Sequence, residues 1–177
     1  MTALFANHRE TNLISTVALV EQVLDELGYI DLPELPDELP PRVPGTTAVS
    51  EPGASHVWRL ARGSATTRVA VVDPRPTPHP AAHDRASFPH LRVSAVVMTL
   101  DAAVDRAALF GQLLALNAEL CGVAFALDGD RVLLISERST LDLDHSEARD
   151  AIERVTTLAD EHDDALVARF GGRIGGG

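Results

Sequence analysis

The sequence predicts an α+β fold with the order α-β-β-β-α-β-β-α, an antiparallel sheet covered by three helices. Apolar residues recur at helical spacing in three stretches, and β-branched and aromatic residues alternate in five short ones. Turn residues join the alternating stretches closely enough to make hairpins. Strands that arrive in hairpins build an antiparallel sheet, and three helices leave part of such a sheet, a face or an edge, open.

The first helix rests on Leu13, Val17, Val20, Leu24 and Leu27, spaced by threes and fours, with Thr11 as its cap and Gly28 as its stop. A connector follows at 31–55, where Pro33, Pro36, Pro40, Pro41, Pro44 and Pro52 prevent both helix continuation and ladder hydrogen bonding. It reads as an extended, solvent-facing segment pinned by Leu32, Leu35 and Leu39. His56–Arg62 alternates around Trp58 and Leu60, Gly63-Ser64 supplies a turn, and Thr67–Val72 completes a hairpin. A third strand spans Leu91–Leu100, after an aperiodic loop bearing Pro and His at Asp73–Pro89.

The second helix covers Val104–Leu120, and Leu109, Phe110, Leu113, Leu114, Leu116 and Leu120 spread over about 160° of its wheel. Val123–Leu127, the Asp128-Gly129-Asp130 turn and Val132–Ser136 make a second hairpin. The last helix begins near Asp144, with Glu147 three residues on as in a capping box. It lays Ala148, Ile152, Val155, Ala159, His162 and Leu166 on one face before Gly171-Gly172. The chain of 177 residues suits a single domain over 1–172, with a flexible Gly-rich tail at 173–177.

Charge and composition exclude several functions. All 15 basic residues are Arg, set against 26 acids, and the net charge of −11 repels phosphate backbones and anionic lipid surfaces. Neither nucleic acid nor membrane is an expected partner. Without Lys there is no P-loop lysine, Schiff-base lysine or kinase-type lysine. Cys121 stands alone, which removes intrachain disulfides, CxxC redox pairs and Cys-rich zinc sites. A lone cysteine, acids early in the chain and no apolar run near membrane-spanning length predict a cytoplasmic protein.

Each candidate for chemistry meets a physical objection. His79, His83 and His90 are spaced like metal ligands on a helix, but Pro78, Pro80 and Pro89 deny them a helix and a common face. No metal and no cofactor are expected. Zinc should accordingly leave the melting temperature unchanged in a thermal shift assay. A rise of several degrees that disappears in His79→Ala/His83→Ala would instead show a metal site through binding-linked stabilisation. No Ser or Cys stands in a nucleophile elbow. Asp142, Asp144, Ser146, Asp150 and Glu153 imitate a calcium loop, but Glu147 stands where the loop needs Gly and a strand precedes it instead of a helix. Cys121 has no cation close in sequence, which predicts inert packing at a buried corner. Asn117 interrupts the apolar arc of the second helix, either to touch a bound peptide or to hydrogen-bond neighbouring backbone. Glu153, Asp160, Glu161, Asp163 and Asp164 form an acidic helix face, either simply solvated or recognising a basic partner.

Three stretches carry a family resemblance. They are His56–Arg62 with Trp58 before the Gly63-Ser64 turn, LFGQLLALNAEL from Leu109 to Leu120, and VAFALDGDRVLLISE from Val123 to Glu137, followed by the acidic last helix. Over residues 10–170, apart from the proline-rich connector, the chain resembles the YbjN family of bacterial sensory-transduction regulators, which has the fold of class I type III secretion chaperones. These residues are structural and contain no catalytic signature. The resemblance implies a small acidic cytoplasmic homodimer, not an enzyme, that holds a peptide or protein partner.

Residue geometry adds two expectations. The wide apolar arc of the second helix is awkward to bury on one sheet, so Leu109, Phe110, Leu113 and Leu116 are assigned to a symmetric dimer interface. Trp58 and Leu60, with Val69 and Val71 on the hairpin partner, share one strand face. They line either a peptide groove or the underside of the helices. The net charge favours a partner whose apolar anchors are flanked by Arg or Lys. The alternatives are a regulatory protein docking a folded signalling partner and a small metal-dependent enzyme using the His79/His83/His90 loop.

Overall fold

The computed structural model describes residues 8–29, 54–62, 65–73 and 88–175. The connector from residue 30 to 53, the Gly63-Ser64 turn, and His79 and His83 lie outside them. The elements are α1 (His8–Glu26), β1 (Ala54–Arg62), β2 (Ala65–Val72), β3 (His90–Thr99), α2 (Arg106–Glu119), β4 (Ala124–Asp128), β5 (Arg131–Ser139), α3 (His145–Phe170) and β6 (Arg173–Ile174). All strand pairs are antiparallel, in the order β1-β2-β3-β5-β4 with β6 added to β3. The α+β class and its order are those read from the sequence, with one strand more.

Local chemistry explains the helix ends. α1 begins a turn before Thr11, which lies inside the helix and does not cap it. It stops at Gly28, whose φ of 70° lets its N–H reach Asp25 O at 3.0 Å and the Tyr29 N–H reach Leu24 O at 3.1 Å. Those two bonds form a Schellman motif, and only the residue in the left-handed region has to be Gly. α3 opens with a complete capping box: Asp144 Oδ1 accepts from the Glu147 N–H at 2.9 Å, and Glu147 Oε2 accepts from the Asp144 N–H at 3.2 Å. Asp144, one of the residues that resemble calcium ligands, here serves as the helix cap.

Side chains on opposed residues share a face, so the register divides the sheet into two surfaces. Leu60, Thr67, Ala95, Leu134 and Phe125 form one ladder, and Trp58, Val69 and Val93 another beside it. Both point to the side covered by α1 and α3, where Val20, Val23, Ile152, Val155 and Ala159 complete a single apolar core. α1 is fastened at its first turns. Asn12 Nδ2 donates to Thr140 O at 3.0 Å, Thr140 Oγ1 lies 2.6 Å from Asn12 Oδ1, and Arg9 pairs with Asp73.

Its other end is fastened by charge. Glu26 accepts a hydrogen bond from Gln22 Nε2 at 2.9 Å and faces His145 at 3.0 Å and Arg149 at 3.7 Å across the start of α3. The Gln22 bond holds its carboxyl below the usual range against the opposing effect of burial, with smaller contributions from His145 and Arg149 nearby. Asp144 is lowered too, chiefly by the Glu147 N–H and then by the Ser146 hydroxyl. A carboxyl depressed in the folded state contributes stability at neutral pH that is lost as pH falls through its folded value. The melting temperature should therefore decline as pH drops below about 4, and less so in Asp144→Asn. Equal acid sensitivity in the two proteins would remove Asp144 from the account.

The end of the chain departs from the sequence reading. Arg173 and Ile174 do not trail as a tail; they pair with Thr99 and Met98. β5 holds the other edge of those residues, so β6 occupies the side of β3 that β2 has left. Its approach is close. A Cβ at Gly172 would lie 2.7 Å from Thr99 O, and one at Gly175 would lie 2.3 Å from Val96 O. Glycines that look like a flexible end by composition are what allow this backbone to lie against the sheet.

Candidate functional site

α2 buries one side and leaves an apolar stripe on the other. Its inner stripe of Leu109 and Leu113 is buried, and Leu116 and Leu120 are partly so. The opposite stripe, Ala107, Gly111, Leu114 and Ala118, is exposed, with Leu114 69% accessible. Phe110 borders it, half-buried. The wide arc seen on the wheel is thus two arcs, one packed inward and one narrower and outward. Of the residues assigned to a dimer interface, Leu109 and Leu113 belong to the core, and the outward apolar residue is Leu114. At Gly111 an added Cβ would meet nothing within 4 Å, so the helix surface there is low and open.

Asn117 fixes α2 to the sheet. Its Oδ1 accepts from the Phe125 N–H at 2.7 Å and its Nδ2 donates to Phe125 O at 3.2 Å. The side-chain amide imitates a neighbouring strand at one residue of the β4 edge. Of its two expected roles, the structure shows the backbone one. Leu127, two residues on, remains 49% exposed.

The four residues proposed from strand alternation are brought together but not exposed. Trp58, Leu60, Val69 and Val71 all lie in the core beneath α1 and α3. Alternation correctly places them on one face, and that face is the covered one. His56 remains at the rim, stacked on Trp58 with centroids 6.1 Å apart. What β1 leaves open among the described residues is its outer main-chain edge, since its ladder runs to β2 alone.

The remaining candidates fall apart or turn out differently. His90 Nδ1 lies 3.0 Å from Glu137 Oε1, and among the described residues no group of His, Cys, Asp and Glu could hold a metal ion. Cys121 is exposed, not packed at a buried corner. The fold also brings it a cation absent from its sequence neighbourhood, since Arg154 Nη1 donates to Cys121 O at 3.2 Å. Arg154 is itself held above its usual range, first by its bond to Asp150. On α3, Asp160, Glu161 and Asp164 are exposed, Glu153 pairs with Arg149 at 3.4 Å, and Asp163 is buried. The acidic face is real but smaller than its sequence suggests. Among the described residues no helix is long and apolar enough to cross a membrane.

A family model described as T3SS (YopN, CesT) and YbjN peptide-binding chaperone 1 matches residues 83–175. No curated protein matches the sequence. Among solved structures, a chain of the ExsC–ExsE complex aligns at 16% identity with a TM-score of 0.51, covering 86% of this chain and 94% of that one. That likeness is one of fold. YbjN from E. coli aligns at 14% identity with a TM-score of 0.49, covering 82% and 89%.

Proposed function

Because the chain belongs to the family of T3SS and YbjN peptide-binding chaperones, we propose that it is a non-enzymatic, chaperone-type module. Residues 1–172 act as one domain, as a homodimer in the cytoplasm, and hold a protein or peptide partner. The geometric observation that carries this reading is the outer edge of β1. It is nine residues long and, among the described residues, its ladder runs to β2 alone; an outward edge of this kind can take an extended segment. The fold neighbour was solved as a complex, ExsC with ExsE, which supports a binding role without naming a partner for this chain. The homodimer rests on the outward stripe of α2 around Leu114. A second copy would cover it by twofold symmetry.

The net charge of −11 draws partners with Arg or Lys beside their apolar anchors from a distance. Co-purification from the native cell with mass spectrometry, followed by calorimetry with peptides from the recovered partner, tests the function. An isolated, unstructured segment of the partner should bind. Binding by the folded partner but by none of its segments would replace the peptide-binding reading with docking of a folded protein.

A further inference from the structure

The sheet has a second place where a strand can be added, and the chain fills it itself. The ladder between β2 and β3 ends at Ala95, and past the irregularity between Val96 and Met98 the side of β3 that β2 leaves is taken by β6. Leu100 sends its N–H the other way, to Asp130 O at 2.7 Å on the β5 side. By the alternation of an antiparallel ladder, the Thr99 N–H then points to β6, as does Val97 O, which accepts from the Gly175 N–H at 3.3 Å. Two residues pair in this slot, Ile174 with the fully buried Met98 and the exposed Arg173 with Thr99. So short a ladder is held by few bonds.

Space decides what can lie there. Gly175 is not in the left-handed region, yet a Cβ on it would lie 2.3 Å from Val96 O and 2.6 Å from Val96 C. One on Gly172 would lie 2.7 Å from Thr99 O. These are main-chain atoms of a central strand, which cannot swing aside as the end of a side chain does. A strand in the slot therefore needs Gly at both positions, an aliphatic residue opposite Met98, and no particular residue opposite Thr99.

We propose that this slot on β3 is a strand-binding site for an extended partner segment reading Gly-x-aliphatic-Gly, held closed in the free chain by β6. The outer edge of β1 belongs to another strand, so either site can fail without the other. β6 shows by its own presence which chemistry the slot accepts. Because it is tethered to α3, it competes at an effective concentration on the order of millimolar. The apparent affinity of a partner is lowered by the fraction of molecules in which the slot is open. A second copy carries the same residues, but exchanging one β6 for another replaces each bond by its equal. A partner that also touches the protein elsewhere adds contacts, and those are what displace β6.

The test uses the full chain and the end-blocked peptide Gly-Gly-Arg-Ile-Gly-Gly, titrated into the millimolar range and read by NMR at the amides of β3. Gly175→Ala should expel β6, because its clash is with main chain. Ile174→Asp reaches the same end by setting a carboxylate against Met98, and serves if the first variant does not fold. Hydrogen exchange at the Thr99 amide reports the open slot. It should accelerate in both variants while the Met98 amide, on the β5 side, stays protected. Both should bind the peptide at least about tenfold more tightly than wild type, and the bound peptide should slow Thr99 exchange again. Gly-Ala-Arg-Ile-Ala-Gly and Gly-Gly-Arg-Asp-Gly-Gly should not bind. Unchanged Thr99 exchange in both variants would overturn the proposal, as would an open slot that takes no peptide. Equal affinity in wild type and variants would overturn the closure by β6, and equal binding of the Ala peptide would overturn the recognition pattern. A wild-type mass of two copies that falls to one in Gly175→Ala would give the slot to a second copy and overturn the partner segment.

Discussion

Leu114→Arg is expected to leave the fold intact and reduce the solution mass from that of the proposed homodimer, twice the 18.9 kDa of the chain, to a single copy. Leu109→Arg, five residues earlier, is expected to prevent folding. The two leucines lie on opposite sides of α2. Leu114 is 69% exposed, so a charge there meets water in the monomer and, in the proposed dimer, would place like charges about the twofold axis. Covering one such Leu is worth about 1 to 2 kcal/mol, counted twice in a symmetric interface. Leu109 is fully buried. Losing its packing costs about 2 to 5 kcal/mol, and a buried unpaired charge adds several more, comparable with the roughly 5 to 15 kcal/mol that holds a whole domain together. Light scattering on each variant, with a melting curve beside it, checks both. A dimer that survives Leu114→Arg would exclude the outward stripe of α2, and a wild type already at a single-copy mass would exclude the homodimer.

Asn117→Ala should lower the melting temperature by about 5 to 10 °C, a large effect for one half-buried side chain. The substitution leaves the Phe125 N–H and C=O without the partner that holds them, and Phe125 itself is buried. Each orphaned group costs about 1 to 3 kcal/mol, and about 2 to 4 °C is lost per kcal/mol in a chain of this size. Asn117→Asp keeps an acceptor for the N–H but no donor for the carbonyl, so it should fall between the two. Hydrogen exchange at the Phe125 amide gives an independent reading and should accelerate strongly in the Ala variant. An unchanged melting temperature together with unchanged protection would show that β4 does not depend on this amide.

Capping chemistry is local, so the Asp144–Glu147 box and the Gly28 stop are legible in the sequence itself. Trp58, Leu60, Val69 and Val71 group correctly, because alternation is a property of the strand. Which side they face depends on where α1 and α3 land, and nothing within those strands states that. The wheel of α2 likewise yields an arc without its sign, and only packing against β4 separates Leu109 from Leu114. Cys121 lacks a cation in sequence but meets Arg154, 33 residues away. Arg59, Arg68 and Arg92 come onto one sheet face only through the register of three strands, β1, β2 and β3, since they have no shared spacing in the chain.

The placement of β6 has a consequence for the order in which the protein is made. Its two residues complete the β3 edge at Met98 and Thr99, yet they follow those residues by about 75 positions. At a synthesis rate of about 5 to 20 residues per second, that edge stays unfilled for roughly 4 to 15 s while α2, β4, β5 and α3 emerge. The nascent sheet thus spends its synthesis with a gap in its third strand that a neighbouring nascent chain could enter. Final closure waits until Arg173 and Ile174 have left the ribosome.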